Sequence, residues 1–185
     1  AAFDLDLILP YNAKLNDTGT RIFKRRESFL ESFSPVFLQH YKHISDSKEM
    51  VTLKYISHYQ NSDPNELFNS SLGKDRILKR TTTGIHRDDF HFMIDEHPVK
   101  KIGSQGQQKS FLVALKLAQF HLMKEHFGFK PIILIDDIFD RLDDHRIEKI
   151  MSLVAGHAFG QLFIKDARPE RTVGIFKKIE AEKKI

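Results

Sequence analysis

The residues with the clearest chemistry are two carboxylates at the end of an apolar run. Asp136 and Asp137 directly follow the apolar residues 131–135. In a parallel sheet the carboxyl ends of the strands line the ligand crevice, so both side chains would emerge where a substrate binds. There Asp136 could hold Mg²⁺ through water while Asp137 polarises an attacking water. The plainer alternative is a pair of acids that cap the next element.

A second candidate is the start of the helix that precedes this strand. Ser104 is followed three residues later by Gln107, which is the spacing of a capping box. The unpaired amides and the dipole at a helix start can also bind an anion, and Gly106 would permit the close approach of a ligand or a second chain. A well-capped helix without a ligand fits the local pattern equally well, so both interpretations stay open.

The phosphate-binding loop that is common at nucleotide sites is absent from the sequence. A G-x-x-x-x-G-K-S/T loop cradles phosphates with its backbone amides and its lysine. The nearest candidate is Gly73 with Lys74, but Asp75 stands where a metal-binding hydroxyl is needed and Phe68 where the first glycine is needed. The sequence therefore carries candidate site residues without the usual phosphate cradle.

The string His86, Arg87 and Asp88 imitates the catalytic loop of protein kinases. Met93 stands where that loop has its asparagine, and we exclude the match.

The elements that position these residues follow from apolar spacing and turn signals. The first third is predicted to be helical, with caps at 16–18 and a stop and restart at Ser34 and Pro35. Arg21, Lys24, Arg25 and Arg26 share the opposite face, which we predict to be solvated. The further predictions are strands at 51–56, 90–94, 131–135 and 161–164, a turn back into 99–102, and helices at 66–72, 104–126 and 144–155. Strand–helix–strand order with continuous apolar strands indicates an α/β fold whose parallel sheet is covered by helices.

Composition narrows the class of protein. The chain has 185 residues, 41% hydrophobic and 29% charged, which argues against disorder. It has no Cys, which excludes disulfides and thiolate metal sites and fits a reducing cytoplasm. No apolar run is long enough to cross a membrane. The net charge of +4 permits contact with nucleic acid without establishing it.

Taken together, the motifs resemble the C-terminal half of an ABC-type ATPase head. Residues 104–107 correspond to the signature motif, Asp136 and Asp137 to the Walker B acids, and residues 140–143 to the D-loop. Within that superfamily the sequence resembles the RecF family, because residues 84–89 are similar to that family's GPHRDD and residues 103–108 match its GSQGQQ. The resemblance implies two domains, a mainly helical arm at 1–75 and the C-terminal half of the head at 76–185.

The resemblance also implies a role for each site residue. Ser104 and Gly106 would touch the γ-phosphate of an ATP bound to the partner subunit. Gln107 and Asp143 would also be nucleotide-binding residues, and Asp143 would cross the dimer interface. Asp136 would organise Mg²⁺, and Asp137 would be the catalytic carboxylate.

RecF-like proteins are bacterial and cytoplasmic, associate with the nucleoid, and dimerise on DNA around two ATP molecules. They favour single-strand gaps and work with RecO and RecR to load RecA, and slow, DNA-stimulated ATP hydrolysis releases them. The resemblance implies this function in recombinational repair and replication restart.

Departures from the family pattern define the remaining expectations. Ile85 replaces the family proline, and residues 164–167 stand where the family has a Thr-rich strand end. Because the phosphate loop is missing, we expect a C-terminal fragment that alone binds ATP poorly and hydrolyses none. The alternatives are a head of another ABC or SMC-like ATPase, and a non-enzymatic DNA- or partner-binding module whose acids are structural.

Overall fold

The computed structural model describes residues 7–46, 48–136, 142–153, 160–165, 170, 173–174 and 177. Its helices and strands, in chain order, are α1 (Leu9–Ser45), β1 (Val51–Ile56), α2 (Pro64–Leu78), β2 (Asp89–Ile94), β3 (His97–Pro98), α3 (Val99–Ile102), α4 (Gln105–Phe127), β4 (Ile133–Asp136), α5 (Asp144–Leu153) and β5 (Leu162–Lys165). Short 3₁₀ turns lie at His58–Gln60 and Ile85–Arg87.

The strands form two sheets. One sheet has the order β1-β2-β3, with β2 and β3 antiparallel, and the other pairs β4 with β5 in parallel. In the parallel pair Ile133 lies opposite Leu162, and Asp136 lies opposite Lys165. Parallel neighbours need a crossover connection, and α5 lies between these two strands in the chain. The predicted α/β class is confirmed.

The chain divides into two compact units. One comprises Ala1–Ser32 with Leu53–His91, and the other Phe33–Thr52 with Phe92–Ile185. We call them unit 1 and unit 2. The domain boundary that the sequence places after residue 75 stays a prediction.

Aromatic packing forms the core of unit 1. Phe23 of α1 stacks on Tyr55 and Tyr59, with ring centroids 5.6 and 6.1 Å apart. Gly19 lies one turn earlier on the same helix, and a Cβ there would overlap the Tyr59 ring and hydroxyl. Glycine at this position therefore lets Tyr59 approach the helix backbone closely.

Unit 1 also contains a buried carboxylate. The Asp88 side chain is only 2% exposed, and it accepts hydrogen bonds from the Tyr55 hydroxyl and, at 3.1 Å, from Nη1 of Arg26. Arg26 also donates to the carbonyl of Ile85. Arg26 is therefore half-buried and paired, which corrects the prediction that its whole helix face is solvated. A buried charge needs such a partner, and Asp88 of the GPHRDD-like string therefore serves the packing of unit 1.

The core of unit 2 lies between α1, α4 and α5. Phe37, Tyr41 and Ile44 of α1 are fully buried at helical spacing, and Phe37 and Tyr41 pack on Phe111 of α4 with centroids 4.7 and 5.5 Å apart. Buried residues of the two other helices are Val113, Ala114, Leu117, Ile147, Ile150 and Met151. Since α4 and α5 both carry candidate site residues at their first turns, this core fixes the helices from which the site projects.

The predicted break at Ser34 and Pro35 is wrong. The single helix α1 runs from Leu9 through Pro35 to Ser45, beginning before the caps predicted at 16–18. Proline removes one helical hydrogen bond and strains the preceding turn. Here the Pro35 ring is exposed while Phe33 and Phe37 on either side are buried. Burial of the apolar face therefore outweighs the local preference.

The turn predicted before residues 99–102 is present, but those residues form a helical turn and not a returning strand. Asp95 and Glu96 both have positive φ, 47° and 66°, as a tight hairpin turn requires. β3 ends after two residues at Pro98, which cannot donate to a ladder, and Val99–Ile102 then forms one helical turn. By contrast, the strand at 51–56 and the long helix ended by Gly128, in the left-handed conformation at φ 72°, agree with the sequence predictions.

His40 should make the fold sensitive to acid. Burial, and then the nearby His121 and His43, lower the pKa of His40 from 6.5 to about 4. The unfolded chain binds this proton at a higher pH than the folded one, so stability falls as the pH drops from about 6.5 towards 4. The unchanged protein should lose unfolding free energy between pH 7 and pH 5, and in His40→Leu we expect this loss to be smaller by about 1 kcal/mol. This figure allows for the partial exposure of His40. Urea unfolding of both proteins at the two pH values measures the difference.

The matched control is His97→Leu, which changes an exposed histidine on β3. If His40→Leu showed the same pH dependence of stability as the unchanged protein, His40 would not be the source of the acid sensitivity.

Two neighbouring aspartates give a second prediction. Asp88→Ala leaves Arg26 and the Tyr55 hydroxyl without their buried acceptor, so we expect a loss of about 3 kcal/mol in the free energy of unfolding. Asp89→Ala removes a carboxylate that is 74% exposed and should cost less than about 1 kcal/mol. Urea denaturation of both variants tests this, and equal losses would show that Asp88 is not the buried centre of unit 1.

Candidate functional site

Ser104 caps the start of α4. Its hydroxyl accepts a hydrogen bond from the backbone N–H of Gln107 at 3.2 Å. The side-chain Oε1 of Gln107 accepts one from the backbone N–H of Ser104 at 2.7 Å. The predicted capping box is therefore present. The preceding Gly103 has no room for a side chain, since a Cβ there would lie 2.6 Å from the carbonyl oxygen of Val99. The turn into the helix is thus held both by steric constraint and by hydrogen bonds.

This helix start retains donors that an anion could use. The amides of Gln105 and Gly106 are in the first turn, where no intrahelical acceptor exists. The Ser104 hydroxyl acts only as an acceptor in the cap, so its proton remains available for a ligand. Ser104 and Gln105 are exposed, and Gly106 is half-exposed. Because α4 is 23 residues long, its dipole adds to the attraction.

The Gln107 side chain connects this helix start to a partly buried acid, Glu49. Its Nε2 donates to Oε1 of Glu49 at 3.1 Å. Glu49 also accepts from the Tyr41 hydroxyl and from Nη2 of Arg146 at 2.9 Å. Burial alone would raise the pKa of Glu49, but the hydrogen bonds from Tyr41, Arg146 and Gln107 outweigh it and lower that pKa. Glu49 is therefore an anion held by three donors.

Arg146 extends the connection to the start of α5. Its Nη1 donates to Oγ of Ser110 at 2.8 Å, and its Nε lies 3.5 Å from Oδ2 of Asp143. Asp143 in turn accepts from the Arg146 amide at 2.8 Å, in the manner of a helix N-cap. We call Tyr41, Glu49, Gln107, Ser110 and Arg146 the Glu49 cluster.

The cluster brings Asp143 together with Ser104 and Gln107, to which the sequence related it only by resemblance. Ser104, Gln107 and Asp143 are joined by one chain of hydrogen bonds and ion pairs through Glu49 and Arg146. Sequence reasoning missed Glu49 and Arg146. Arg146 stands three residues after Asp143, which is a weak local signal, and Glu49 has none.

Asp136 lies at the end of β4, as predicted. Its cross-strand neighbour Lys165 forms an ion pair with it at 3.1 Å, and the two side chains are 65% and 78% exposed. The carboxylate also borders a largely apolar cavity of about 400 Å³ between α4 and β4. Most of its lining is apolar, although Lys109 and Lys116 also border it.

The donor chemistry at Asp136 fits Mg²⁺ only in part. Within the described residues no group of three or more His, Cys, Asp or Glu could hold a metal. Mg²⁺ commonly uses one or two carboxylates and takes its remaining oxygens from water and phosphate, so Asp136 could serve as the one carboxylate. Lys165 would then have to leave it. Asp137, the predicted catalytic acid, lies outside the described residues, as do Asp140 and Arg141 of the D-loop.

Among the described residues, no helix has the length and apolar character that a membrane crossing demands.

Comparison with curated proteins gives one consistent result. The chain is 51% identical over 183 residues to the DNA replication and repair protein RecF of Flavobacterium johnsoniae, covering 99% of this chain and 51% of the relative. The proteins of the same name from Cytophaga hutchinsonii and Phocaeicola vulgatus are 45% and 41% identical, over 91% and 99% of this chain. The matched parts make up 45% and 50% of the lengths of these two relatives. The chain therefore spans about half the length of the curated relatives it matches. No protein-family model matches the sequence.

Solved structures agree with these relatives. The recombination mediator protein RecF with ATP, of the RecFOR pathway, superposes with a TM-score of 0.74 at 26% identity. The corresponding structure with ATPrS superposes with a TM-score of 0.72 at 27% sequence identity. Each alignment covers 90% of this chain and 46% of the solved one. On sequence and on structure, the chain belongs to the RecF family.

Proposed function

We propose that this chain forms the part of a RecF-type ATPase head that contacts a nucleotide bound to a partner subunit. In the complete protein, ATP would join two such heads into a clamp on DNA. The start of α4 carries this proposal, because Ser104 keeps a hydroxyl proton while its oxygen completes the cap, and the amides of Gln105 and Gly106 are beside it. Such a cluster of donors at an exposed helix start suits a γ-phosphate.

The other predicted ligands have more specific parts in this proposal. Both ends of the Gln107 side chain are engaged, by the Ser104 amide and by Glu49, so Gln107 would fix the donors around the phosphate. Asp143 caps α5 and would meet the partner at the dimer interface.

Asp136 and Asp137 would belong to the same head's own nucleotide. Asp136 would hold Mg²⁺ through water, and the ion would neutralise charge on the phosphates. Asp137 would act as the general base that polarises the attacking water. Lys165 pairs with Asp136 at the surface, where such pairs are weak, so it can give way to the ion at little cost.

The biological setting is proposed from the relatives. Their name, DNA replication and repair protein RecF, and the RecFOR pathway of the solved structures support a cytoplasmic role in DNA repair and replication. We propose binding at single-strand gaps and cooperation with RecO and RecR in loading RecA. The net charge of +4 is compatible with a DNA partner.

A second candidate function follows from the roles that the acids already have. Asp136 is engaged by Lys165 and Asp143 by the first turn of α5. If those roles are their only ones, the chain is a DNA- or partner-binding module in which ATP plays no part.

The deciding experiment uses a full-length hybrid, the RecF of Flavobacterium johnsoniae in which this chain replaces the portion it matches. We expect ATP to drive dimerisation and DNA binding by the hybrid. Ser104→Arg removes the capping hydroxyl and places a bulky, positively charged side chain at the start of α4. It should therefore abolish ATP-dependent dimerisation while the monomer still binds ATP. Sedimentation with and without ATP, nucleotide titration and DNA-binding assays measure the three properties.

The matched control is Ser32→Arg, the same change at an exposed serine of α1. DNA binding by the hybrid that ignores both ATP and an Asp137→Asn change would contradict the clamp and favour the module. Normal dimerisation by Ser104→Arg would exclude the start of α4 as the contact.

A further inference from the structure

We propose that Glu49 and Arg146 are positioning residues that lock the first turns of α4 and α5 together, so that Ser104 and Asp143 meet a partner's nucleotide as one rigid surface. This inference deepens the proposed function and rests on it. Neither residue touches the proposed ligand, and both act through the residues that do.

The geometry of Arg146 makes it a connector between elements. Its three nitrogens contact three different side chains, with Nη1 on Ser110, Nη2 on Glu49 and Nε near Asp143. The guanidinium is planar and presents its donors in a fixed fork. A shift of one helix start relative to the other would therefore break at least one of these bonds. A lysine keeps the charge but is a flexible point donor, which cannot hold this arrangement.

Glu49 supplies the other half of the lock. It joins Gln107 of α4 to Arg146 of α5, and the Tyr41 hydroxyl holds it from α1. Glu49 and Arg146 are partly buried, with side-chain exposures of 11% and 17%. Solvent screens such a pair less than a surface pair, so the connection should be stiff.

The start of α4 depends on this lock through Gln107. Its side chain closes the capping box on the Ser104 amide through Oε1 and donates to Glu49 through Nε2. When Glu49 is held by Arg146, both ends of the Gln107 amide are fixed. The Ser104 hydroxyl and the first amides of the helix then keep one orientation.

Removing the lock should leave the fold in place. α5 buries Ile147, Ile150 and Met151 completely, and Lys149 forms a separate ion pair with Asp46 at 3.0 Å. These contacts anchor α5 without Arg146. A variant at Arg146 should therefore change the orientation of the helix starts far more than it changes the packing of unit 2.

The first test measures the coupling in the 185-residue chain itself. We expect Arg146→Lys to raise the hydrogen-exchange rate of the Gln107 amide about tenfold, as well as that of amides in the first turn of α5. The matched control is Arg21→Lys, the same change in an ion pair of α1 whose side chains are 75% and 74% exposed. Exchange that rises only in α5 would overturn the coupling, because Arg146 would then serve its own helix alone.

The second test measures the consequence in the full-length hybrid. Glu49→Gln and Arg146→Lys should each weaken ATP-dependent dimerisation about tenfold, and the double variant should be no weaker than either single one, because both break one network. The ATP affinity of the monomer should stay within about twofold, and the melting temperature should stay close to that of the unchanged hybrid. Glu125→Gln on the exposed face of α4 is the control for Glu49→Gln.

Each outcome decides a different point. Wild-type dimerisation in both variants, or losses that simply add, would overturn the positioning role. A parallel loss of stability and dimerisation would assign the pair to folding alone. If the unchanged hybrid does not dimerise with ATP, the proposed function falls and the role towards a nucleotide falls with it, while the exchange result still decides whether the two helix starts are coupled.

Discussion

The partly buried charge of Glu49 is the constraint on which the candidate site depends. An isolated carboxylate in the interior would be strongly unfavourable, and this one is retained because a phenol, an amide and a guanidinium all donate to it. These donors come from α1, α4 and α5, so satisfying one charge fixes three helices at one point. The apolar core brings the helices together, and the cluster determines how the first turns of α4 and α5 are oriented.

Local features of the site could be predicted from the sequence because they depend on neighbours in the chain. The capping box needs only Ser104 and Gln107, and the parallel pairing of β4 with β5 follows from two apolar runs on either side of a helix. The cluster could not be predicted. Glu49 and Arg146 are 97 residues apart, and nothing in either local sequence indicates the other.

Two errors in the predicted elements have the same origin. Pro35 and residues 99–102 were assigned by local preference, whereas the structure follows burial in one case and turn geometry in the other. Asp88 shows that a conspicuous local motif can have a structural role. Its string was conspicuous as a motif, but its contacts with Arg26 and Tyr55 come from distant parts of the chain and make it a structural acid.

The pairing of Asp136 with Lys165 gives the end of the parallel sheet a built-in counter-ion. Strand register places the ammonium group beside the carboxylate, so these two charges offset each other at neighbouring strand ends. If Asp136 takes up Mg²⁺ as proposed, the ion and Lys165 would compete for the same carboxylate. Metal binding at this strand end would therefore exchange one positive charge for another and not merely add one.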